Sequence, residues 1–388
     1  MALPISVPTL LTRVAAAILL ALPVLLAGPG SGLQRLSIVE DGSGYTPAAI
    51  LDAYDIQPLH AAGIDGQGQT AALVELDSFR MSDIHKFDQA YGLDDPHIVS
   101  HYPGGKRFPL GSGVETTLDI EWLHAIAPAA TIQVYYLRSG QSAWKPLASE
   151  LRFMPGRGVG TVSISLGACH PGGDVDVARS ALSMLLQQGV SIFASSGDSG
   201  AHPGPQSTCG SGLGVAYPAA DPSVVAVGGT SLQMRSATKI GSETAWDRSG
   251  GGVARSLLRA AWESAPGMPK DAYRWAPDVS FLAAPSLGVR TYVHGNWHRL
   301  GGTSLGSPAW AGIWALLRQQ FAAAGKPLGV APQVLYQVGN SPDYSHAFHD
   351  VTKGGNKYYR AGPGWDPVTG WGTPDVARLS AAIAALGG

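Results

Sequence analysis

At 388 residues the chain is long enough for one large domain or two medium ones, and an apolar content of 45% supports a substantial core. A formal charge of −2, a charged fraction of only 14% and the absence of long charge runs argue against a nucleic-acid or anionic-membrane partner. With 51 glycines and 28 prolines, turns must be frequent, and neither an internal repeat nor a low-complexity tract is visible.

In chain order, the first feature is a weakly charged start to Thr12, then Arg13, an apolar run from Val14 to Ala27, and Gly28-Pro29-Gly30-Ser31-Gly32. Residues 1–31 therefore read as a signal peptide, too short for a comfortable membrane span, and predict export to the cell exterior. An uncleaved anchor is the second reading. No cysteine follows the apolar run, which excludes a lipoprotein. No long propeptide separates this segment from a catalytic domain expected over residues 40–388.

Gly44 to Ala62 reads as an extended lead-in and a short helix. Thr70 to Leu76 is a buried strand, apolar until Glu75, so Glu75 and Asp77 fall at its carboxyl end, where open α/β sheets place ligands. Glu115 to His124 has helical spacing. Glu115 and Asp119 stand at i and i+4, on one face with Leu118 and Trp122. Two acids on an apolar face are unfavourable unless they share a proton or find partners, whereas on a solvated face they are ordinary helix-start carboxylates.

Four strand-like runs follow, at residues 131–137, 161–166, 190–194 and 224–227, with an amphipathic helix from Val175 to Gln188 ending at Gly189. This alternation predicts right-handed βαβ units and a mostly parallel sheet flanked by helices. The third run enters Ser196-Gly197-Asp198-Ser199-Gly200. There Asp198 is either an Asx-type turn residue or a carboxyl poised over a cleft to polarise a carbonyl. Cys169 and Cys209 are the only cysteines, and in an exported chain the pair invites a disulfide across about forty residues, worth roughly 4 kcal/mol in the chain-entropy estimate; two separate thiols are the alternative.

Gly301-Gly302-Thr303-Ser304-Leu305-Gly306-Ser307-Pro308 reads as a glycine turn, a Ser/Thr cap and the start of a helix apolar on nearly every face, which belongs inside the domain. Ser304 at a helix N-terminus sits where negative charge is favoured. Near the end, His349-Asp350-Val351 and Gly362-Pro363-Gly364-Trp365-Asp366 are two Asp-bearing loops of the kind that suits a hard, oxygen-seeking cation. Pro374 to Leu386 closes the chain as a helix.

Four of these motifs in this order, E-x-x-L-D-x-E at Glu115 to Glu121, S-G-D-S-G at Ser196 to Gly200, G-T-S-x-x-x-P at Gly302 to Pro308 and the paired Asp loops, resemble the sedolisin family. These are serine-carboxyl peptidases with a subtilisin-like fold, and the resemblance runs from about Tyr45 to the C-terminus. It implies a single-domain α/β peptidase that cleaves polypeptide substrates in acid; export and composition favour endopeptidase action over trimming of tripeptides from N-termini, and a monomer is the default for a secreted degradative enzyme. Ser304 would be the nucleophile, Glu115 its general base, Asp119 the group that orients and proton-couples to Glu115, and Asp198 the oxyanion stabiliser. One structural calcium ion would be held by the Asp350 and Asp366 side chains and the backbone carbonyls of Val351, Gly362 and Gly364. In some members a Glu and a Trp extend the network behind the acid pair; here Glu75 matches the first, but Leu166 stands in place of the Trp. The acid preference follows from chemistry, because a carboxylate base is matched to low pH and a carboxyl donates to an oxyanion only while protonated.

Other readings use some of the same residues. Gly197 to Gly200 also resembles the nucleophile motif of chymotrypsin-like peptidases, but His124 lies in a helical run. Gly302 to Gly306 fits the G-x-S-x-G elbow of α/β-hydrolases, with Asp343 or Asp350 and His349 downstream. A subtilisin proper would pair Ser304 with Asp77 and a histidine, although no His-Gly-Thr run exists. An inactive secreted binding protein on the same scaffold is the non-enzymatic alternative.

Overall fold

The computed structural model describes residues 37–39, 43–102, 112–137, 144–169, 175–236 and 238–387. The signal peptide expected over residues 1–31 lies outside the described residues. Among those described, no helix is long and apolar enough to cross a membrane.

Uninterrupted apolar runs build the main sheet, because strands covered on both faces have no reason to alternate with polar residues. In chain order its strands are β1 (Thr70–Glu75), β2 (Ile98–His101), β3 (Thr131–Tyr136), β4 (Thr161–Ile164), β5 (Ser191–Ser195), β6 (Val225–Ser236), β7 (Lys239–Ala245) and β8 (Val279–Leu282). Their spatial order is β8-β6-β5-β4-β1-β3-β2, every neighbour parallel, and β7 is added antiparallel to β6. The expected α/β fold with a mostly parallel sheet flanked by helices is thus the observed one.

Alternation along each strand sends side chains to two separate cores. Leu73, Ile132, Val134 and Phe193 enter the larger, with Leu118 and Trp122 of an acid-bearing helix (Val114–Ile126) and Trp310 and Trp314 of a serine-bearing helix (Thr303–Ala323). Ala72, Val74, Ile164 and Ile192 enter the other, under helices Trp144–Phe153 and Val175–Gln187. Both tryptophans of the serine-bearing helix are fully buried; truncating either to Ala would cost about 3–5 kcal/mol.

The boundaries differ from the sequence reading where physical reasons intervene. The lead-in forms two short helices, Pro47–Ala53 and Gln57–Ala61, rather than one. The run expected at 224–227 continues to Ser236, because β6 leaves the core and pairs with β7 as a half-exposed ribbon. The closing helix starts at Val376 behind an Asp375 cap that accepts from the Arg378 N–H, while Pro374 lies in a short strand beside Phe348. Cys169 and Cys209 are joined in a disulfide with Cα atoms 5.5 Å apart.

Candidate active site

The parallel strands point their carboxyl ends at one edge of the sheet, and the chemistry-bearing residues gather there. Glu75 ends β1, Ser165 follows β4, and Asp198 lies three residues beyond β5. The serine-bearing helix begins at the same edge. Its opening is set by glycine: Gly302 has φ 129°, outside the range of L side chains. A Cβ at Gly306 would stand 2.6 Å from Val227 Cγ1, so only glycine lets the first turn lie on the sheet.

One expectation is corrected here. The helix starts at Thr303 with Gly302 as its N-cap, and no side chain caps it. The Thr303 hydroxyl is turned instead to Asp198 Oδ1 at 2.9 Å, and the Thr303 N–H donates to the same oxygen at 2.8 Å. Helix N-terminal donors that a cap would satisfy are thus used to hold a carboxyl.

Ser304 is 8% exposed, and its Oγ donates to the Ser165 carbonyl oxygen at 3.2 Å. Glu115 stands in the first turn of the acid-bearing helix, near enough to Ser304 for that hydroxyl to act on its carboxyl. Its residue surface is only partly covered, yet Oε1 is fully enclosed and has no donor. Burial first, and then the charge of Asp119, push the Glu115 carboxyl well above the usual range. The Ser304 hydroxyl opposes that rise, while Asp198 and Asp77 add to it.

One turn on, Asp119 is fully buried and reaches Glu75. Glu75 Oε1 and Asp119 Oδ1 have no separate donors, and the two carboxyls hydrogen-bond each other, which takes one shared proton. Burial raises both, first in each case, so the pair holds a proton that two ionised carboxylates would lack. Thr116 Oγ1 lies 3.1 Å from Glu75 Oε2 and 2.6 Å from the Asp77 carbonyl oxygen. Leu166, where some sedolisins carry a Trp, is buried in the second core.

Asp198 is 5% exposed, and burial raises its pKa against the Thr303 hydrogen bonds and the nearby Arg248. The expected quartet of Ser304, Glu115, Asp119 and Asp198 is therefore brought together. The histidine alternatives are not assembled: His124 Nε2 donates to the Asp94 carbonyl oxygen at 2.8 Å, and His349 neighbours Glu243 and Asp375.

Sequence reasoning missed Ser165. Its hydroxyl contacts Asp119 Oδ2 and the Ser304 carbonyl oxygen, the latter at 3.1 Å. Pro308 explains that second contact, because it lacks the N–H that would otherwise satisfy Ser304 O four residues back. A signal was present: Ser163 and Ser165 alternate in an apolar strand, so both hydroxyls face the serine-bearing helix. Ser163 Oγ meets Ser307 Oγ at 2.8 Å.

The two Asp loops approach each other. Asp350 Oδ2 accepts from the Gly364 N–H at 3.1 Å, and Asp366 Oδ2 accepts from Gly362 N–H at 3.3 Å and Thr369 Oγ1 at 2.8 Å. Burial first, and then the charges of Asp350 and Asp366, raise the pKa of the Tyr344 hydroxyl, so both carboxylates lie near it. Burial pushes Asp366 up to about 6. Among the described residues no group of three or more His, Cys, Asp or Glu side chains is placed to hold a metal. An ion here would depend on backbone carbonyls as well, and such an all-oxygen set fits calcium.

Comparison with known proteins gives consistent relatives. The chain is 33% identical over 371 residues to kumamolisin from Bacillus sp. (strain MN-32), covering 88% of this chain and 64% of that protein. It is 29% identical over 402 residues to sedolisin from Pseudomonas sp. (strain 101), covering 94% and 65%. The chain thus spans somewhat under two thirds of these relatives' length. No family model matches. Among solved structures, Pseudomonas sedolisin, a serine-carboxyl proteinase complexed with two molecules of pseudo-iodotyrostatin, superposes with a TM-score of 0.79 at 27% identity, over 89% of this chain and 99% of that one.

Proposed function

Its relatives and its subtilisin-like fold make the chain a member of the sedolisin family, and from that premise we propose that it is a secreted serine-carboxyl endopeptidase that hydrolyses polypeptides in acid. The observation that carries the proposal is the run of carboxyls behind a helix-start serine. Glu115 meets Ser304, Asp119 follows Glu115, and Asp198 stands across the serine in the grip of Thr303.

Glu115 takes the proton as Ser304 Oγ attacks the scissile carbonyl, and later returns it to the leaving amine. Its raised pKa makes it a stronger base than a solvated carboxylate while leaving it ionisable in weak acid. Asp119 steadies Glu115, and the proton it shares with Glu75 keeps that pair from carrying two charges beside the base. Asp198, with Oδ1 engaged by Thr303, donates through its protonated carboxyl to the oxygen that becomes negative in the tetrahedral intermediate, reinforced by the helix N-terminus. Activity therefore requires Glu115 ionised and Asp198 protonated, and falls on either side of an acidic window. Export is supported by the sequence of residues 1–31.

Asp350 and Asp366, with the carbonyls of Val351, Gly362 and Gly364, would hold one calcium ion. Bound there, the ion neutralises two converging carboxylates and ties the loops together. Chelation should lower the melting temperature and added calcium restore it, a shift that Asp366→Asn removes.

The decisive experiment is hydrolysis of an unfolded protein at pH about 4 and about 7.5, with Ser304→Ala as control. Ser304-dependent cleavage confined to acid is expected. Cleavage that rises toward neutral pH would mean a histidine base and overturn the roles given to Glu115 and Asp198.

A further inference from the structure

A cleft of about 450 Å³ opens beside Asp198. His202 and Leu213 line one wall, and Arg248, Lys357 and Tyr358 line the other. Asp198 belongs to both this cleft and the proposed oxyanion site. Consecutive Cα atoms are about 3.8 Å apart, so a peptide whose scissile carbonyl faces Asp198 brings a residue next to the cut into this cleft.

The far wall is held from behind. Asn356 is 1% exposed; its Nδ2 donates to the Ser249 carbonyl oxygen at 3.2 Å, and its Oδ1 accepts from the Tyr359 N–H at 2.9 Å. Fixed in this way, the next residue, Lys357, takes a left-handed φ of 74°, unusual for a side chain of its length. Lys357 is engaged by Asp247 at 3.2 Å, so those two charges offset each other.

Arg248 also lines the cleft. Its Nε donates to the Asp198 carbonyl oxygen at 3.0 Å, which anchors the stem, and its Cζ lies 5.7 Å from the centroid of the Trp246 ring. Its charge lowers the pKa of the neighbouring Asp198, but among the described residues no carboxylate lies within salt-bridge distance of it. A guanidinium in the lining of a cleft is a fork suited to a carboxylate.

We propose that this cleft is a substrate subsite in which Arg248 selects a peptide carboxylate adjacent to the scissile bond, with Leu213 and Tyr358 covering the aliphatic stem. The carboxylate is either an internal Glu or Asp side chain or the substrate's C-terminus. This rests on the peptidase reading above, and the test separates the two.

Matched quenched peptides carrying Glu, Gln or Lys at each of the two positions either side of the cut are compared at pH about 5, where substrate carboxylates are ionised. Each is made with a free and an amidated C-terminus, and short peptides place that terminus within two residues of the cut. The expected result is a kcat/KM ratio of about fivefold for Glu over Gln at one position, the scale of a solvent-accessible ion pair. The ratio should collapse to one in Arg248→Gln and turn to favour Lys in Arg248→Glu. Preference for the free acid over the amide, with no Glu preference, would assign the site to chain termini and support the same carboxylate chemistry. Ser304-dependent cleavage indifferent to both charges, or a preference unchanged in the Arg248 variants, overturns the inference and leaves the peptidase reading standing. Absence of any Ser304-dependent cleavage overturns both.

Discussion

Two clusters of buried acids among the described residues are treated in opposite ways. Around Arg274, which is wholly buried, Asp278 accepts two guanidinium nitrogens at 2.7 and 2.6 Å, Glu263 lies 3.2 Å away, and Tyr336 and the Ala226 N–H complete Asp278. At the active-site edge Glu75, Asp119 and Glu115 are enclosed with no lysine or arginine ion-paired to them among the described residues, and orphaned oxygens remain on all three. Burial with a guanidinium fixes charge and makes a structural joint. Burial without one raises the acids and leaves protons free to move.

The largest effect that tests this contrast is chemical. Glu115→Gln keeps the shape and removes the base, so Ser304-dependent hydrolysis should fall about a hundred- to ten-thousandfold with little change in the urea midpoint. A variant with near-normal turnover would show that the acid row is not the proton relay. The second effect lies in the other cluster. Arg274→Met strands Asp278 and Glu263 without their partner and should destabilise the fold by about 3–5 kcal/mol, read by denaturant unfolding, while the turnover of the folded fraction is kept.

A third, smaller effect sharpens the comparison. Asp88, on the helix Met81–Tyr91, is buried with neither oxygen hydrogen-bonded, and burial, aided by Asp95 and opposed by His85, pushes it up to about 7. Its folded pKa is above the unfolded value of about 3.9, so its contribution is present below about 4 and is lost as pH rises through about 7. His124, 3.5 Å away, is lowered by burial and acts in the opposite sense below its unfolded pKa of about 6.5. Glu121, also raised by burial, adds to the trend of Asp88. Unfolding midpoints should therefore drop between pH 5 and 8, and Asp88→Asn should flatten that slope; an equal slope in the variant would remove Asp88 from the account.

Much of this was legible in the sequence for a simple reason: buried parallel strands and inward-facing helices carry long apolar runs. Thr70–Glu75 and Val175–Gln187 fall within a residue or two of their expected limits. The acids at Glu115 and Asp119 were readable because i and i+4 share a face. What escaped depends on chain segments far apart in sequence. Ser165 meets the Ser304 carbonyl because Pro308, more than a hundred residues later, leaves it unpaired, and Arg248 shares a cleft with Asn356 from a loop about a hundred residues on. Strands such as Gly252–Leu258 and Asn296–Gly301 escaped because they are short, mixed in polarity and paired in ribbons outside the main sheet.

The bridge between Cys169 and Cys209 closes a ring of chain that contains the helix Val175–Gln187, the strand β5 and Asp198 itself. If the proposed peptidase activity holds, each molecule is surrounded by copies able to digest it. A cut inside that ring leaves both fragments tethered, with the oxyanion side of the site still attached to the serine side. The bond therefore makes a single nick in this region survivable, and a reductant, harmless to the intact chain's acid row, would turn the same nick into a break.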